Sequence, residues 1–159
     1  LTGIRQCLEE HGLPEDHLEI LSTSRKEFAK YPGDRAEYQN GYDRTIEALQ
    51  NGTASTAFIG NNDMTALGIM DAIAELGYKI PFDYSVCGFD NIPLASMKQI
   101  SLTTIEHATV QKGHEAVDLI HKKHSQDHSG RQPSYTVRLE YEPQLIVRNS
   151  TGKCRKNLR

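Results

Sequence analysis

Three short β-rich runs set between helical stretches constrain this chain more than any other feature. HLEILST (17–23), TAFIG (56–60) and YSVCGF (84–89) each follow a segment whose apolar residues recur at helical spacing. Before the first run, Leu1, Ile4 and Leu8 mark a helix over about 1–11 that stops at Gly12, with Pro14 beyond. Before the second, Tyr42, Ile46 and Leu49 share a face of GYDRTIEALQNG, ended by Gly52. Before the third, Leu67, Met70, Ile73 and Ala74 form a stripe over 63–77, ended by Gly77 and Pro81. The order α-β-α-β-α-β predicts a parallel sheet covered by helices, because parallel neighbours need a long crossover that a helix supplies. Residues 24–40 are polar and carry Pro-Gly, so they read as a long loop or insertion.

Beyond Phe89 the pattern loosens. LASMKQISLTTIEH (94–107) reads as an extended connection, and 108–124 as a helix with Val110, Val117, Ile120 and His124 on one face. A polar linker follows over 125–134. YTVRLEYEPQLIVRNST (135–151) then alternates like paired strands, with Pro143 at an edge or break.

The length, 159 residues, suits one domain or one lobe plus part of another. Leu1 opens in mid-pattern without a cap, which reads as a piece of a longer protein. The apolar share of 37%, counted without glycine, lies below the average of about 45–50%, a count that includes glycine, as expected if some apolar surface meets absent material. A net charge of −3 gives no argument for nucleic-acid binding by this chain. Lys153, Arg155, Lys156 and Arg159 make the end basic, and 152–159 reads as a solvated, disordered tail. Cys7, Cys87 and Cys154 have no CxxC spacing, which implies neither a disulfide framework nor a zinc site and fits a reducing compartment. No apolar run reaches the length of a membrane span.

Chemistry-bearing patterns are mostly missing. His114, His121, His124 and His128 could share a helical face, but no carboxylate or cysteine at ligand spacing accompanies them, so they read as solvent-facing. There is no GxSxG elbow, GxGxxG or P-loop, and Asp63, Asp83 and Asp90 are as easily caps and turns. The chain is therefore expected not to be an enzyme and to hold no cofactor or metal. Two strand ends remain, GNNDMTALG (60–68) and CGFDN (87–91). In a parallel sheet both point at one edge, where open α/β sheets bind ligands. Amides and carboxylates suit sugar hydroxyls, which both donate and accept. Asp63 sits where a helix cap belongs. Asn62 and Asp90 are less easily explained by structure, and Gly60 and Gly88 allow close backbone approach beside them.

These motifs occur in an order that resembles the LacI/GalR family of bacterial transcriptional repressors. The family shows an apolar strand, Asn-Asp, Ala-x-Gly on a helix, Gly and Pro before the next strand, then Gly-(Phe/Tyr)-Asp. TAFIGNNDMTALGIMDAIAELGYKIPFDYSVCGFDN follows that pattern, SLTTIEH is similar to its LTT segment, and PQLIVRNST to its ending. The resemblance implies a periplasmic-binding-protein-like (type I) α/β effector domain, of which this chain supplies mostly the C-terminal lobe. That lobe would occupy 1–106, with 107–128 a helix and linker returning to the N-terminal lobe, 129–151 closing strands and 152–159 a tail.

By residue, the resemblance implies Asn62, Asp90 and His107 as effector contacts, His107 standing where many relatives carry glutamine. The family's ligand-stacking aromatic would fall at Ala36, so Tyr38, the nearest aromatic, is the candidate. Met64, Leu67 and Met70 are implied as a dimer face. The implied function is sensing of a small molecule, a sugar being favoured by the Asn/Asp lining, in a cytoplasmic homodimer. Lobe closure would control operator DNA, gripped through an N-terminal headpiece outside this chain, with no membrane partner. The alternative is a stand-alone extracellular sugar-binding protein of the same fold, which upstream sequence would distinguish.

Overall fold

The computed structural model describes residues 1–31, 33–126 and 136–154. Its helices are α1 (Thr2–Glu10), α2 (Arg25–Phe28), α3 (Ala36–Gln50), α4 (Asp63–Glu75) and α5 (Thr109–Gln126). Its strands are β1 (Ala57–Ile59), β2 (Ser85–Cys87), β3 (Thr104–Glu106) and β4 (Gln144–Ile146). Short 3-10 turns cover Glu15–His17, Gly33–Arg35 and Pro93–Ser96.

The predicted β-α-β unit is present. β1 and β2 pair in parallel, Ala57 opposite Ser85, Phe58 opposite Val86 and Ile59 opposite Cys87, with α4 as the crossover. The ladder continues sideways: Cys87 bridges Thr103 in parallel, and the N–H groups of Gly88 and Asp90 donate to Thr103 and Ile105 carbonyls at 2.9 Å. β3 then pairs antiparallel with β4, Thr104 opposite Ile146 and Glu106 opposite Gln144. This places the carboxyl ends of β1 and β2 next to β3.

The core lies between the sheet and α4. Phe58, Ile69, Ile73, Tyr84, Val86, Ala95 and Leu102 are buried together, at about 1.5–3 kcal/mol for each large side chain removed from water. The buried stripe of α4 is Ala66, Ile69, Ala72 and Ile73. The expected stripe is met in part: Ile73 belongs to the core and Met70 packs against it, whereas Leu67 is half-buried and Ala74 is exposed. α4 is apolar over more than one face, so spacing alone does not select the one that meets the sheet. α3 packs along α4 at close range, where a Cβ on Gly68 would lie 2.0 Å from the Tyr38 carbonyl oxygen.

Four expected segments differ. HLEILST is not a strand: no residue of 17–23 has strand structure, and Ile20 and Leu21 stand exposed. Glu19 instead accepts from Thr53 Oγ1 at 2.5 Å, and Thr23 donates to Asn40. Side-chain bonds replace the ladder there. The expected loop over 24–40 contains α2, whose Ser24 and Glu27 form a reciprocal capping box, and the start of α3. Ser24-Arg-Lys-Glu27 carried that capping signal in its spacing. The connection over 94–107 contains the 3-10 turn at Pro93–Ser96 and β3. The closing pair of strands reduces to β4: residues 136–143 have no regular structure, and Pro143, which has no N–H, stands immediately before it. His128, the linker at 127–134 and the tail from 155 lie outside the described residues.

Candidate functional site

Each of β1 and β2 delivers a polar side chain three residues beyond its last paired position. Ile59 pairs with Cys87, so Asn62 and Asp90 follow at equal offsets. Close approach is built in at this edge: a Cβ on Gly88 would sit 2.1 Å from Asp63 Oδ1, and one on Gly60 2.7 Å from the Ala66 nitrogen.

The roles of Asn62 and Asp63 require a correction. Asp63 is not the helix cap. Asn62 is extended, with φ −151 and ψ 176, and its side chain accepts from the Thr65 N–H at 2.8 Å. Asp63 is the first helical residue and is completely buried. Its Oδ2 accepts from the Ile92 N–H at 2.8 Å and its Oδ1 from the Thr104 hydroxyl at 2.5 Å. Asp63 therefore ties α4 to the loop after β2 and to β3. Asn62 spends its carbonyl oxygen on the cap and keeps its NH₂ donor for the edge.

Asp90 and His107, 17 residues apart in sequence, are brought into contact. Asp90 has φ 108 and Asn91 φ 52, so two successive non-glycine residues turn the chain at the end of β2. Asp90 Oδ1 lies 3.0 Å from His107 Nε2, with side-chain exposures of 40% for Asp90 and 27% for His107. The partly open carboxylate thus has one oxygen engaged by His107. The His107 ring stacks on Phe89, centroids 5.1 Å apart and planes 25° apart. Lys112 Nζ lies 3.0 Å from His107 Nδ1.

Asn91 anchors the turn. Its Oδ1 accepts from Arg148 Nη2 at 2.7 Å, its Nδ2 donates to Glu106 Oε2 at 3.1 Å, and its N–H donates to Thr104 Oγ1 at 3.3 Å. Arg148 also donates to the Leu102 carbonyl at 2.7 Å. The Asn91 amide, then the backbone N–H groups of Thr109 and Ala108, hold the Glu106 carboxyl below its usual range. Burial, then the charge of Asp63, pushes the Cys87 thiol up, which disfavours the nucleophilic thiolate.

Tyr38 goes elsewhere. Its hydroxyl donates to Asp71, and that bond, ahead of burial, pushes Tyr38 up to about 12. Asp71 is nine residues along from Asn62, about 13 Å at the rise of a helix, so the structure does not bring Tyr38 to the Asp90 edge. Met64, Leu67 and Met70 lie half-buried on the flank of α4. Among the described residues no group of three or more His, Cys, Asp or Glu could hold a metal ion.

Sequence reasoning missed Phe89, Asn91, Glu106, Lys112 and Arg148. Asn91 and Arg148 stood inside quoted motifs without a role, and nothing in sequence spacing pairs Lys112 with His107. Chemically, the edge offers acceptors and an amide donor but no activated nucleophile. Two concavities, about 330 Å³ beside Tyr78 and Lys98 and about 410 Å³ beside Tyr42 and Arg44, do not include Asn62, Asp90 or His107. The edge is an open face.

The periplasmic binding protein-like domain family matches residues 1–151. An arabinose metabolism transcriptional repressor of Halalkalibacterium halodurans is 34% identical over 100 residues, 63% of this chain and 27% of its own length. The HTH-type transcriptional regulator DegA of Bacillus subtilis is 30% identical over 152 residues, 96% of this chain and 40% of its own. A crystal structure of a LacI family transcriptional regulator from Enterococcus faecium with bound ribose superposes with a TM-score of 0.71 at 27% identity, covering 94% of this chain and 49% of that one. The chain spans less than half the length of each of these relatives.

Proposed function

We propose a function from one premise: this chain belongs to the LacI/GalR family and has the periplasmic binding protein-like fold. It is the greater part of the effector-binding lobe of a bacterial transcriptional repressor, and its ligand is a sugar held against the carboxyl edge of β1 and β2. The relatives support the sugar reading, one being named for arabinose metabolism and one holding ribose. The observation that carries it is the Asp90–His107 contact at that edge. Asp90 Oδ2 makes no bond among the described residues and accepts from a ligand hydroxyl, while the Asn62 NH₂ donates to one.

In the full protein, a second lobe closes over the ligand. The ligand binds one inter-lobe geometry better than the other and shifts the population by that difference. Paired headpieces then gain or lose their match to operator half-sites. The protein is a cytoplasmic homodimer in this reading, joined through the Met64, Leu67 and Met70 flank; no helix among the described residues is long and apolar enough to cross a membrane.

The test is a thermal-shift screen of the full-length protein against ribose, arabinose, hexoses and disaccharides. A ligand that binds only the native state at a hundred times its Kd adds about 2.7 kcal/mol of stability. Asp90→Ala is expected to abolish the ligand-induced shift and leave the ligand-free melting temperature within a few degrees. No shift with any sugar, or the same shift in Asp90→Ala, would sink the reading.

A further inference from the structure

We propose that Lys112 is a positioning residue of this site: it fixes the tautomer of His107 and thereby the way Asp90 meets a ligand. Only the ligand-binding part of this inference rests on the effector reading of Asp90. The His107 ring lies between a group that can only donate and one that can only accept. Lys112 Nζ is 3.0 Å from Nδ1, and an ammonium has three donors and no acceptor. Asp90 Oδ1 is 3.0 Å from Nε2, and an ionised carboxylate only accepts. One protonation state satisfies both contacts: Nδ1 turns its lone pair to Lys112, and Nε2–H donates to Asp90. An imidazolium would aim an N–H at the ammonium.

Neighbouring groups hold the parts in place. The Phe89 ring fixes the His107 plane by stacking, and the Thr109 hydroxyl lies 3.4 Å from Nε2. Lys112 sits 5.6 Å from the centroid of the Tyr141 ring, whose hydroxyl donates to Glu115 at 2.5 Å. The nearby Glu106 carboxylate is occupied by Asn91 and does not compete for the imidazole.

Two consequences follow for the site. With Asp90 Oδ1 engaged by a neutral ring, Oδ2 accepts from hydroxyl donors, so the ligand class is neutral and polyhydroxylated rather than anionic. Lys112 also belongs to the first turn of α5, which starts at Thr109, and Ala108 between it and His107 has φ 57. A change in the direction of α5 at Ala108 therefore moves Lys112 against His107 and alters the Asp90 contact.

The test uses full-length protein labelled with [15N]histidine, with His107→Asn to assign the signal. At neutral pH, Nδ1 of His107 is expected to carry no proton in wild type and Lys112→Arg, and to gain one in Lys112→Met. Affinity for ribose or arabinose is expected to fall roughly two- to tenfold in Lys112→Met, the range one hydrogen bond contributes, and to recover in Lys112→Arg. A protonated Nδ1 in wild type, or an unchanged signal in Lys112→Met, overturns the assignment whatever the protein binds. The stated tautomer with undiminished sugar affinity in Lys112→Met overturns the positioning role. If no sugar binds wild type while the tautomer is as stated, the effector reading fails and the action of Lys112 on His107 stands.

Discussion

Asp63 shows how much one buried side chain decides at this edge. Its two oxygens bind the Ile92 N–H and the Thr104 hydroxyl, joining three segments that meet nowhere else in sequence. Asp63→Ala leaves both donors without a partner inside the protein, at about 1–3 kcal/mol each. We expect a loss of about 2–4 kcal/mol by urea denaturation. Asp63→Asn keeps an acceptor for Ile92 and can donate to Thr104, so it should cost clearly less. Equal losses in the two variants would show that charge, not bonding geometry, fixes the junction. Asn62 is a poorer probe of ligand binding than Asp90, because its removal also removes the α4 cap. In the sequence, Asn62 and Asp63 are equally good caps; the buried partners Ile92 and Thr104 separate them.

At the scale of elements, the α3–α4 pair is sealed by two rungs of one type. Tyr38 donates to Asp71, and one helical turn on, Tyr42 donates to Glu75 at 2.5 Å. The Tyr38 hydroxyl is held neutral to about 12, first by its bond to Asp71. The raised folded-state value means that the bond contributes fully below the unfolded tyrosine pKa near 10. Its contribution is lost as pH rises through about 12. Alkaline titration of tyrosinate absorbance should therefore show a late component that disappears in Tyr38→Phe. A titration in which the variant keeps that component would assign it to another tyrosine.

Elements were legible where periodicity and stop signals agreed. Gly12, Gly52 and Gly77 end their helices at positive φ, and the β1-α4-β2 unit stands where alternation placed it. HLEILST and residues 136–143 failed for one reason. An apolar or alternating run becomes a strand only if a partner supplies the ladder, and sequence does not say whether that edge is filled.

At the scale of the whole molecule, large apolar side chains stand open to solvent. β1 leaves Ile59 60% exposed, and α5 leaves Val110, Val117 and Ile120 open at 75%, 66% and 68%. These surfaces fit a chain that spans less than half of its relatives. Met64, Leu67 and Met70, half-buried along α4, form the dimer face of the proposal. Leu67→Glu in the full-length protein is expected to halve the molar mass by sedimentation with the helical circular dichroism retained. A dimer of undiminished mass would place the interface elsewhere.

By itself, the sequence determined the crossover unit, the family and the two strand ends where polar residues gather. Local spacing and turn chemistry act within a few residues, and those features are local. The tertiary structure decided that Asn62 caps α4 while Asp63 is enclosed, that Tyr38 belongs to the helix pair, and that His107 meets Asp90 under the reach of Lys112. Each of those depends on which groups are buried against which, a property of contacts between distant segments.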